Sequence, residues 1–425
     1  MRNRNHALAS LYCASALHGM IHTLSLFLSP LNVEIATYFH TNSVATITSF
    51  KTVYLIVYAA SNLLFGGLTY RLPVRETLSF GMLVNAGAVI LFYFVPSKGI
   101  PFMYVLWILA AIGGGVYHPV ANVFITRKFS ERKGWALGIT GVGSGIGFAF
   151  GPLITGALSR MGLGWQSIAL LFGLSGTLAG IVAYLVIRDD GKDEGVQRVH
   201  DTTPGRKENS GSYNRSGLPG GLTWPLLGFL TWMILLTASR EIAMWSILDV
   251  SAFFLEVSTQ NASLASWYLF IMYLPGIVTQ PFVGTWSDRW GRRGFALLTF
   301  CLFGASLAIL PFLPPKGYLV SYFLMGAAQS ASVPLIEAMI ADHTTPENRG
   351  MMFGVFITAI MGLGALGPFL SGAWLDGIGR TLSSFRLLFS ILGGTVVLSG
   401  IFLYFTPSVS IVLSLKKRWS TVRNK

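Results

Sequence analysis

The sequence predicts an all-α integral membrane protein, with twelve transmembrane helices in two pseudo-symmetric six-helix bundles. Its composition, the number of its apolar runs and an internal repeat support this fold class. Hydrophobic residues make up 52% of the 425 residues and charged residues 11%, whereas soluble domains carry about 25% charged residues. Folding alone cannot hide so much apolar surface from water, so lipid must cover part of it.

Twelve apolar runs are each long enough to cross a bilayer, which needs about 20 residues of helix. Each run should be helical, because unpaired backbone groups are not tolerated in lipid. The predicted spans are 8–30, 43–69, 77–95, 101–126, 134–158, 165–187, 223–255, 262–285, 294–313, 317–341, 350–373 and 382–406.

An internal repeat relates two of these runs. Residues 138–157 read GITGVGSGIGFAFGPLITGA, and residues 354–373 read GVFITAIMGLGALGPFLSGA. At an offset of 216 residues, Gly151 and Pro152 return as Gly367 and Pro368. Two related halves of six helices with a solute site between them are typical of secondary transporters.

The polar stretch 188–221 separates these halves. Its six basic and six acidic residues stand among Gly, Ser, Pro and Asn, so it cannot bury enough apolar surface to fold alone. The predicted parts are an N-terminal bundle at 1–187, a cytoplasmic linker at 188–221, a C-terminal bundle at 222–406 and a basic cytoplasmic tail at 407–425.

The positive charges lie mainly on one side of the predicted membrane. The linker, both termini and alternate loops hold 23 of the 30 Lys and Arg residues, whereas the opposite loops hold four. Positive charge marks cytoplasmic loops, so we expect a multi-pass protein of the cytoplasmic (inner) membrane with both termini cytoplasmic. The net charge of +13 is then a topology signal, which favours contact with membrane lipid and not with nucleic acid.

The short loop after the eighth span carries an ordered motif that resembles the major facilitator superfamily signature G-x-x-x-D-R-x-G-R-R. Its residues are Gly284, Asp288, Arg289, Gly291, Arg292 and Arg293. The first-half copy keeps Gly66, Arg71 and Arg75, but Tyr70 replaces the Asp. The resemblance implies the major facilitator fold, and a loop that latches one conformation without touching the solute.

The repeated stretch also resembles a second motif of this family, the fifth-helix pattern G-x-x-x-G-P-x-x-G, which is associated with antiporters. Gly147, Gly151 and Pro152 match it. Gly367 and Pro368 repeat the Gly-Pro pair in the second half, so tight helix packing is an alternative explanation.

A closer resemblance is to the fosmidomycin-resistance type of exporter. The pieces that carry it are Leu17-His18-Gly19 and Leu28-Ser29-Pro30 in the first span, Gly115-Val-Tyr117-His118-Pro119 in the fourth, and Arg240 in the seventh.

Seven ionisable residues are predicted to lie deep inside spans, where a charge costs roughly 3 kcal/mol or more and therefore needs a partner or a function. They fall on helices one, four, seven and ten, which line the central cavity in the family that the chain resembles. They are His18, His22, His118, Arg240, Glu241, Asp249 and Glu337.

The histidines are candidates for solute binding. His18 and His22 share one helix face and could bind solute, carry a proton or only pack. His118 precedes Pro119, where the helix is weakened. Trp245 is a candidate cavity wall.

Arg240 suits carboxylate or phosphonate oxygens, although an internal salt bridge to Glu337 or Asp249 is an alternative. Glu241 should point about 100° away from it and could face another helix. Asp249 and Glu337 are the preferred proton carriers, with Glu241 as a further candidate, because burial favours the protonated carboxyl. Lys51, in the outer third of its span, is expected to extend toward the membrane surface.

No nucleophile motif, phosphate-binding loop or clustered metal-ligand spacing occurs in the sequence, so we expect neither an enzyme nor a cofactor or metal site. We predict a monomeric secondary transporter with a small-molecule solute and protons as partners, which exports a drug or organic anion. Proton-coupled uptake of an organic acid or sugar is the alternative, and a membrane receptor that does not transport is the third.

Overall fold

A computed structural model describes residues 2–69, 71–188, 224–276, 279, 287, 291–344 and 346–406. All regular secondary structure in these residues is helical. Eleven of the helical segments are long and apolar enough to cross a membrane, which confirms the all-α membrane class. They are Asn5–Tyr38, Val44–Leu68, Val74–Phe94, Ile100–Lys128, Lys133–Arg160, Trp165–Val186, Leu226–Thr259, Arg292–Phe312, Pro315–Asp342, Met351–Ile378 and Leu382–Tyr404.

The described helices are numbered here in chain order, and short 3₁₀ turns at Ser29–Leu31, Phe92–Phe94 and Leu310–Phe312 extend three of the spans. The helices are α1 (Arg2–Leu26), α2 (Asn32–Tyr38), α3 (Val44–Leu68), α4 (Val74–Leu91), α5 (Ile100–Gly115), α6 (Tyr117–Lys128), α7 (Lys133–Arg160), α8 (Trp165–Val186), α9 (Trp224–Thr259), α10 (Leu264–Tyr273), α11 (Arg292–Ile309), α12 (Pro315–Asp342), α13 (Pro346–Gly364), α14 (Leu366–Ile378) and α15 (Leu382–Tyr404).

The predicted eighth span, 262–285, is represented by α10, which is apolar but only 10 residues long. Most of residues 277–290 lie outside the described part of the chain. The count of twelve helices and the symmetry of the two halves therefore stay predictions. Residues 189–223, which hold nearly all of the predicted linker, and the predicted tail at 407–425 are also outside it.

Two spans are interrupted next to a proline. Val116 separates α5 from α6, three residues before Pro119, and Ala365 separates α13 from α14, three residues before Pro368. Proline lacks an N–H and clashes with the preceding turn, which explains both interruptions. The weak point expected at His118-Pro119 is thus present, and it places His118 in the first turn of α6.

The glycine-rich stretch of α7 lies against α1. A methyl group on Gly143 would meet the backbone oxygen of Ser15, and one on Gly147 would meet that of Gly19. The Thr23 hydroxyl donates to the Gly147 carbonyl at 3.2 Å. Glycine therefore brings the two backbones closer together than any side chain would allow.

The two halves of the chain, residues 2–188 and 224–406, meet where α3 begins. We call this region the Ser43 end. The Asp376 carboxylate accepts hydrogen bonds from the Ser43 hydroxyl at 2.7 Å and from the backbone N–H groups of Val44, at 2.7 Å, and Ala45, at 3.1 Å. A carboxylate is favoured there because the N-terminus of α3 carries unpaired N–H groups and the positive end of the helix dipole.

Candidate functional site

The polar side chains predicted to lie deep in the membrane form three groups. The acid–lysine group contains Asp249 and Lys51, the arginine group contains Arg240 and Glu241, and the histidine group contains His18, His22 and His118. The first joins the two halves, the second lies in the second half, and the third lies in the first half.

Asp249 connects α9 to the chain that follows α1. Its side-chain Oδ1 accepts a hydrogen bond from the Ser29 hydroxyl at 2.9 Å, and its backbone oxygen accepts one from the Asn32 amide at 2.7 Å. All three residues are buried. Asp249 is thus an ionisable residue at a contact between the halves, as a coupling residue would need to be.

Lys51 lies inside the protein, so the expectation that it extends to the membrane surface is wrong. Its side chain is only 4% exposed, and its ammonium donates a hydrogen bond to the Ser25 carbonyl. The ammonium lies 5.7 Å from the centre of the Tyr54 ring and 5.5 Å from that of Trp107. Carbonyl and aromatic contacts stabilise a buried cation.

Lys51 and Asp249 line the same small cavity, together with Ser29, Asn32 and Trp107. The two side chains attract each other electrostatically without forming a direct ion pair. Sequence reasoning missed Lys51, Ser29 and Asn32 as site residues. The signal available was a lysine within an apolar span, which is costly unless it has a partner.

Arg240 makes its salt bridge with Glu241, its neighbour in the chain. Its guanidinium also donates to the Ser332 hydroxyl on α12 and lies 5.5 Å from the centre of the Phe300 ring. The expected alternatives, an ion pair with Glu337 or with Asp249, and the divergence of Glu241 from Arg240 are therefore wrong in this conformation. The Cα–Cβ bonds of neighbouring helical residues do diverge by about 100°, but these side chains are long enough to converge.

The guanidinium of Arg240 is 2% exposed, and its Nε has no hydrogen-bond partner among the described residues. Glu337 is exposed rather than buried, and the Arg240 charge attracts it. Trp245 is half-buried and packs against Gly364 on α13. The arginine group therefore contains a buried cation with one unused N–H donor, and Glu337 is an exposed carboxylate within its electrostatic range.

The three histidines predicted from the sequence lie together. The ring centres of His18 and His22 are 4.7 Å apart, and that of His118 is 4.8 Å from His18 and 5.8 Å from His22. The His18 and His22 Nε2 atoms are 3.0 Å apart, and His18 Nδ1 lies 2.9 Å from the Thr140 carbonyl oxygen on α7. His18 is buried, and the other two are half-buried.

A stack of rings connects the histidine group to the second half. His22 stacks on Phe148 with ring centres 4.0 Å apart, and Phe148 stacks on Tyr273 of α10 at 4.7 Å. Tyr273 in turn is within electrostatic range of Glu241. Packed rings therefore link the histidine group of the first half to α10 of the second half, on the side where Glu241 lies.

The residues predicted to control conformation are only partly described. Gly284, Asp288 and Arg289 lie outside the described residues, so the latch role of their loop stays a prediction. Gly291 adopts φ 95° at the start of α11. Arg292 donates to the Ala338 carbonyl and the Asp342 carboxylate, which ties this loop to α12, and Arg293 follows it in the first turn of α11.

In the first-half copy, Arg75 pairs with Glu76 at 2.5 Å and lies over the Tyr184 ring. Arg71 is exposed, and a methyl group on Gly66 would lie 3.9 Å from Pro119. Gly66, Arg71 and Arg75 therefore do not belong to any of the three polar groups.

The glycines of the repeated Gly-Pro pairs serve close helix packing. Gly151 faces Thr23 of α1, Gly367 faces the Ile242 backbone oxygen of α9, and Pro152 and Pro368 are buried. The structure thus shows the close helix packing that was the alternative explanation of the repeated Gly-Pro pair.

This architecture agrees with a comparison against known protein families. The model of the Major Facilitator Superfamily matches residues 11–257 and 242–418. The chain belongs to this superfamily. Members of the superfamily are transporters and not enzymes, so the chain is a multi-pass membrane transporter.

Three relatives illustrate the similarity. The uncharacterized MFS-type transporter YfnC of Bacillus subtilis is 26% identical over 332 residues, which are 76% of each chain. The oxalate:formate antiporter of Oxalobacter formigenes is 24% identical over 82% of this chain and 80% of its own. The multidrug resistance protein MdtG of a Rahnella strain is 27% identical over 58% of this chain and 57% of its own.

Solved structures share the fold. A bacterial homologue of the human lysosomal transporter Spinster, in an inward-facing and occupied conformation, superimposes with a TM-score of 0.69 at 14% identity. The match covers 93% of this chain and 94% of that one.

Proposed function

We propose that this transporter exports a small organic anion, which includes anionic drugs, in exchange for protons. The observation that supports this most is the placement of Asp249, whose carboxylate is held by the opposite half of the chain and faces a buried lysine. The proposed transporter acts as a monomer, because one chain supplies both halves of the site.

Protonation of Asp249 would change the contact between the halves. The ionised carboxylate attracts Lys51 and accepts strongly from Ser29, because charge-assisted hydrogen bonds are roughly twice as strong as neutral ones. A proton on this carboxyl removes the attraction and weakens the hydrogen bond. The Ser43 end would then separate more readily, which couples proton binding to a conformational change.

Arg240 is the proposed anion-binding residue. Its guanidinium is buried and pairs with Glu241, and its Nε–H has no acceptor among the described residues. A planar guanidinium binds carboxylates and phosphonates through paired hydrogen bonds. An incoming anion would compete with Glu241 for Arg240, and the released Glu241 or the exposed Glu337 could then take a proton.

The Ser43 end is closed by contacts between the halves. Asp376 holds the start of α3, Thr52 accepts from the Phe369 N–H at 3.2 Å, and a methyl group on Gly156 would meet Ser266 of α10. The charge distribution of the loops assigns this end to the outer side. This conformation would thus be inward-facing. Both termini would lie in the cytoplasm, and the basic loops would contact membrane lipid.

The names of the relatives support the anion and the drug parts of the proposal separately. One relative is named as an antiporter for oxalate and formate, and others are named as multidrug resistance proteins. The predicted resemblance to fosmidomycin exporters points in the same direction, since fosmidomycin carries a phosphonate.

Everted membrane vesicles test the proposal, because export appears there as solute accumulation. A panel of radiolabelled mono- and dicarboxylates and one phosphonate is offered with and without an imposed pH gradient, acid inside. We expect accumulation that requires the gradient and the transporter. Accumulation only in right-side-out vesicles would show uptake instead, and equal accumulation with and without the pH gradient would contradict proton coupling.

A further inference from the structure

We infer that His18, His22 and His118 form a binding site for one divalent transition-metal ion of the zinc, cobalt or nickel type. The site draws two ligands from α1 and one from α6, and their ligand nitrogens all lie within 4.8 Å of one another. The expectation of no metal site considered only spacing along the chain. The fold brings His118 to the other two.

The two histidines of α1 have the spacing that metal sites use. Histidines four residues apart lie on one face of a helix and can chelate one ion. The His18 and His22 Nε2 atoms are 3.0 Å apart. Two nitrogens bound to one zinc at 2.0–2.1 Å in tetrahedral geometry are about 3.4 Å apart, so the pair needs only a small adjustment.

The orientation of His18 is fixed as in a metal ligand. A carbonyl oxygen can only accept, so the contact between His18 Nδ1 and the Thr140 oxygen, at 2.9 Å, requires the proton on Nδ1. The lone pair is therefore on Nε2, which points at the other histidines. Metal-bound histidines almost always donate their other N–H to a carbonyl or a carboxylate.

The close approach of α1 and α7 makes this arrangement possible. Thr140 lies at the start of the glycine-rich stretch, and the packing of Gly143 and Gly147 against α1 brings its carbonyl within reach of His18. The same stretch that carries the sequence repeat therefore holds the first ligand in place.

The ligand chemistry selects the ion. Three imidazoles suit Zn²⁺, Co²⁺ or Ni²⁺, whereas Mg²⁺ and Ca²⁺ require oxygen ligands. No carboxylate among the described residues is paired with any of the three rings. His118 must turn inward to complete the set. The half-buried rims of His22 and His118 leave coordination positions open to water or to an oxygen atom of the solute.

Metal binding to the full-length protein in detergent, with no polyhistidine tag, tests this inference without any transport assay. We expect one Zn²⁺ per chain by titration and elemental analysis, no binding of Mg²⁺, and visible absorption bands from bound Co²⁺. His118→Gln should weaken Zn²⁺ binding at least about 10–100-fold, since even residues that only orient metal ligands have effects of this size. The control is His6→Gln, which changes a histidine of α1 outside the group and should leave binding unchanged.

Thermal unfolding of each variant without metal confirms that it folds. Zn²⁺ should raise the unfolding temperature of the wild type but not that of a variant with all three histidines replaced by Gln. Failure to retain any of the three ions at micromolar concentration would overturn the inference, as would equal binding by the triple variant. Either result would leave proposed anion export intact, because that rests on Arg240 and Asp249.

Discussion

Asp249 accepts a hydrogen bond from Ser29 at 2.9 Å, although 220 positions separate the two residues in the sequence. The contact crosses from one half of the chain to the other, and it lies beside the buried ammonium of Lys51. A single ionisable group therefore shares its environment with both halves. A change in its charge must alter their interaction, and this is the physical requirement for coupling a proton to alternating access.

Lys51 and Asp249 should be energetically coupled. Lys51→Met leaves the Asp249 charge without its cation, and Asp249→Asn leaves Lys51 without its anion. The double variant removes both charges, so it should be more stable than the sum of the single changes predicts, by about 0.5–3 kcal/mol. Thermal or denaturant unfolding of the four proteins in detergent measures this. Additive effects would show that the two groups do not interact.

Arg240→Lys should weaken binding of the transported anion at least about tenfold, because an ammonium keeps the charge but loses the guanidinium geometry. Anion-dependent thermal stabilisation of the purified protein reports the affinity. Arg386→Lys is a matched control, since Arg386 lies near Pro311 and the Phe312 ring. Equal affinity in Arg240→Lys would assign Arg240 a structural role only.

Gly147→Ala and Gly138→Ala should differ in their effect on stability although both residues lie in α7. A methyl group on Gly147 would collide with the Gly19 backbone, whereas one on Gly138 meets nothing within 4 Å. We expect Gly147→Ala to destabilise the protein by about 1–3 kcal/mol. Gly138→Ala should be neutral or stabilise by up to about 1 kcal/mol, since alanine favours helix. Unfolding in detergent measures both, and similar values for the two would contradict the close packing of α1 and α7.

Asp376→Ala should favour opening of the Ser43 end, because Ser43, Val44 and Ala45 lose their common acceptor. Ile47→Cys reports this opening, since Ile47 is buried and lines the cavity beside Lys51. The background is Cys13→Ser with Cys301→Ser, which removes both native cysteines. Alkylation of Ile47→Cys should become several-fold faster.

The control for this experiment is Glu256→Ala, which breaks an ion pair with Arg380 within the second half and should leave the alkylation rate unchanged. If Ile47→Cys is alkylated at the same rate with and without Asp376→Ala, Asp376 does not hold this end closed.

The sequence predicts features that depend on neighbours along the chain. Apolar length identified eleven described spans, and Pro119 marked the break before α6. Depth in the membrane also singled out His18, Arg240 and Asp249, since a polar group in an apolar span stands out whatever the tertiary structure.

The side of a helix from which a residue points, and what it meets there, depend on packing. The sequence predicts Lys51 at the membrane surface, because depth along a span carries no information on the direction in which a side chain points. The Arg240–Glu241 pair was missed because backbone geometry does not predict how long side chains bend. The approach of His118 to α1 depends on how α1, α6 and α7 pack, and one sequence does not contain that information in readable form.

Proton movement driven by the solute is the most direct test of the central claim that Asp249 couples protons to transport. Proteoliposomes enclosing a pH-sensitive dye receive a carboxylate identified in the vesicle screen, without any imposed gradient. The wild type should move protons opposite to the solute. Asp249→Asn, which keeps an acceptor for Ser29, should exchange labelled for unlabelled solute without moving protons. Proton movement in Asp249→Asn equal to that of the wild type, or solute transport by the wild type with no proton movement, would contradict the account.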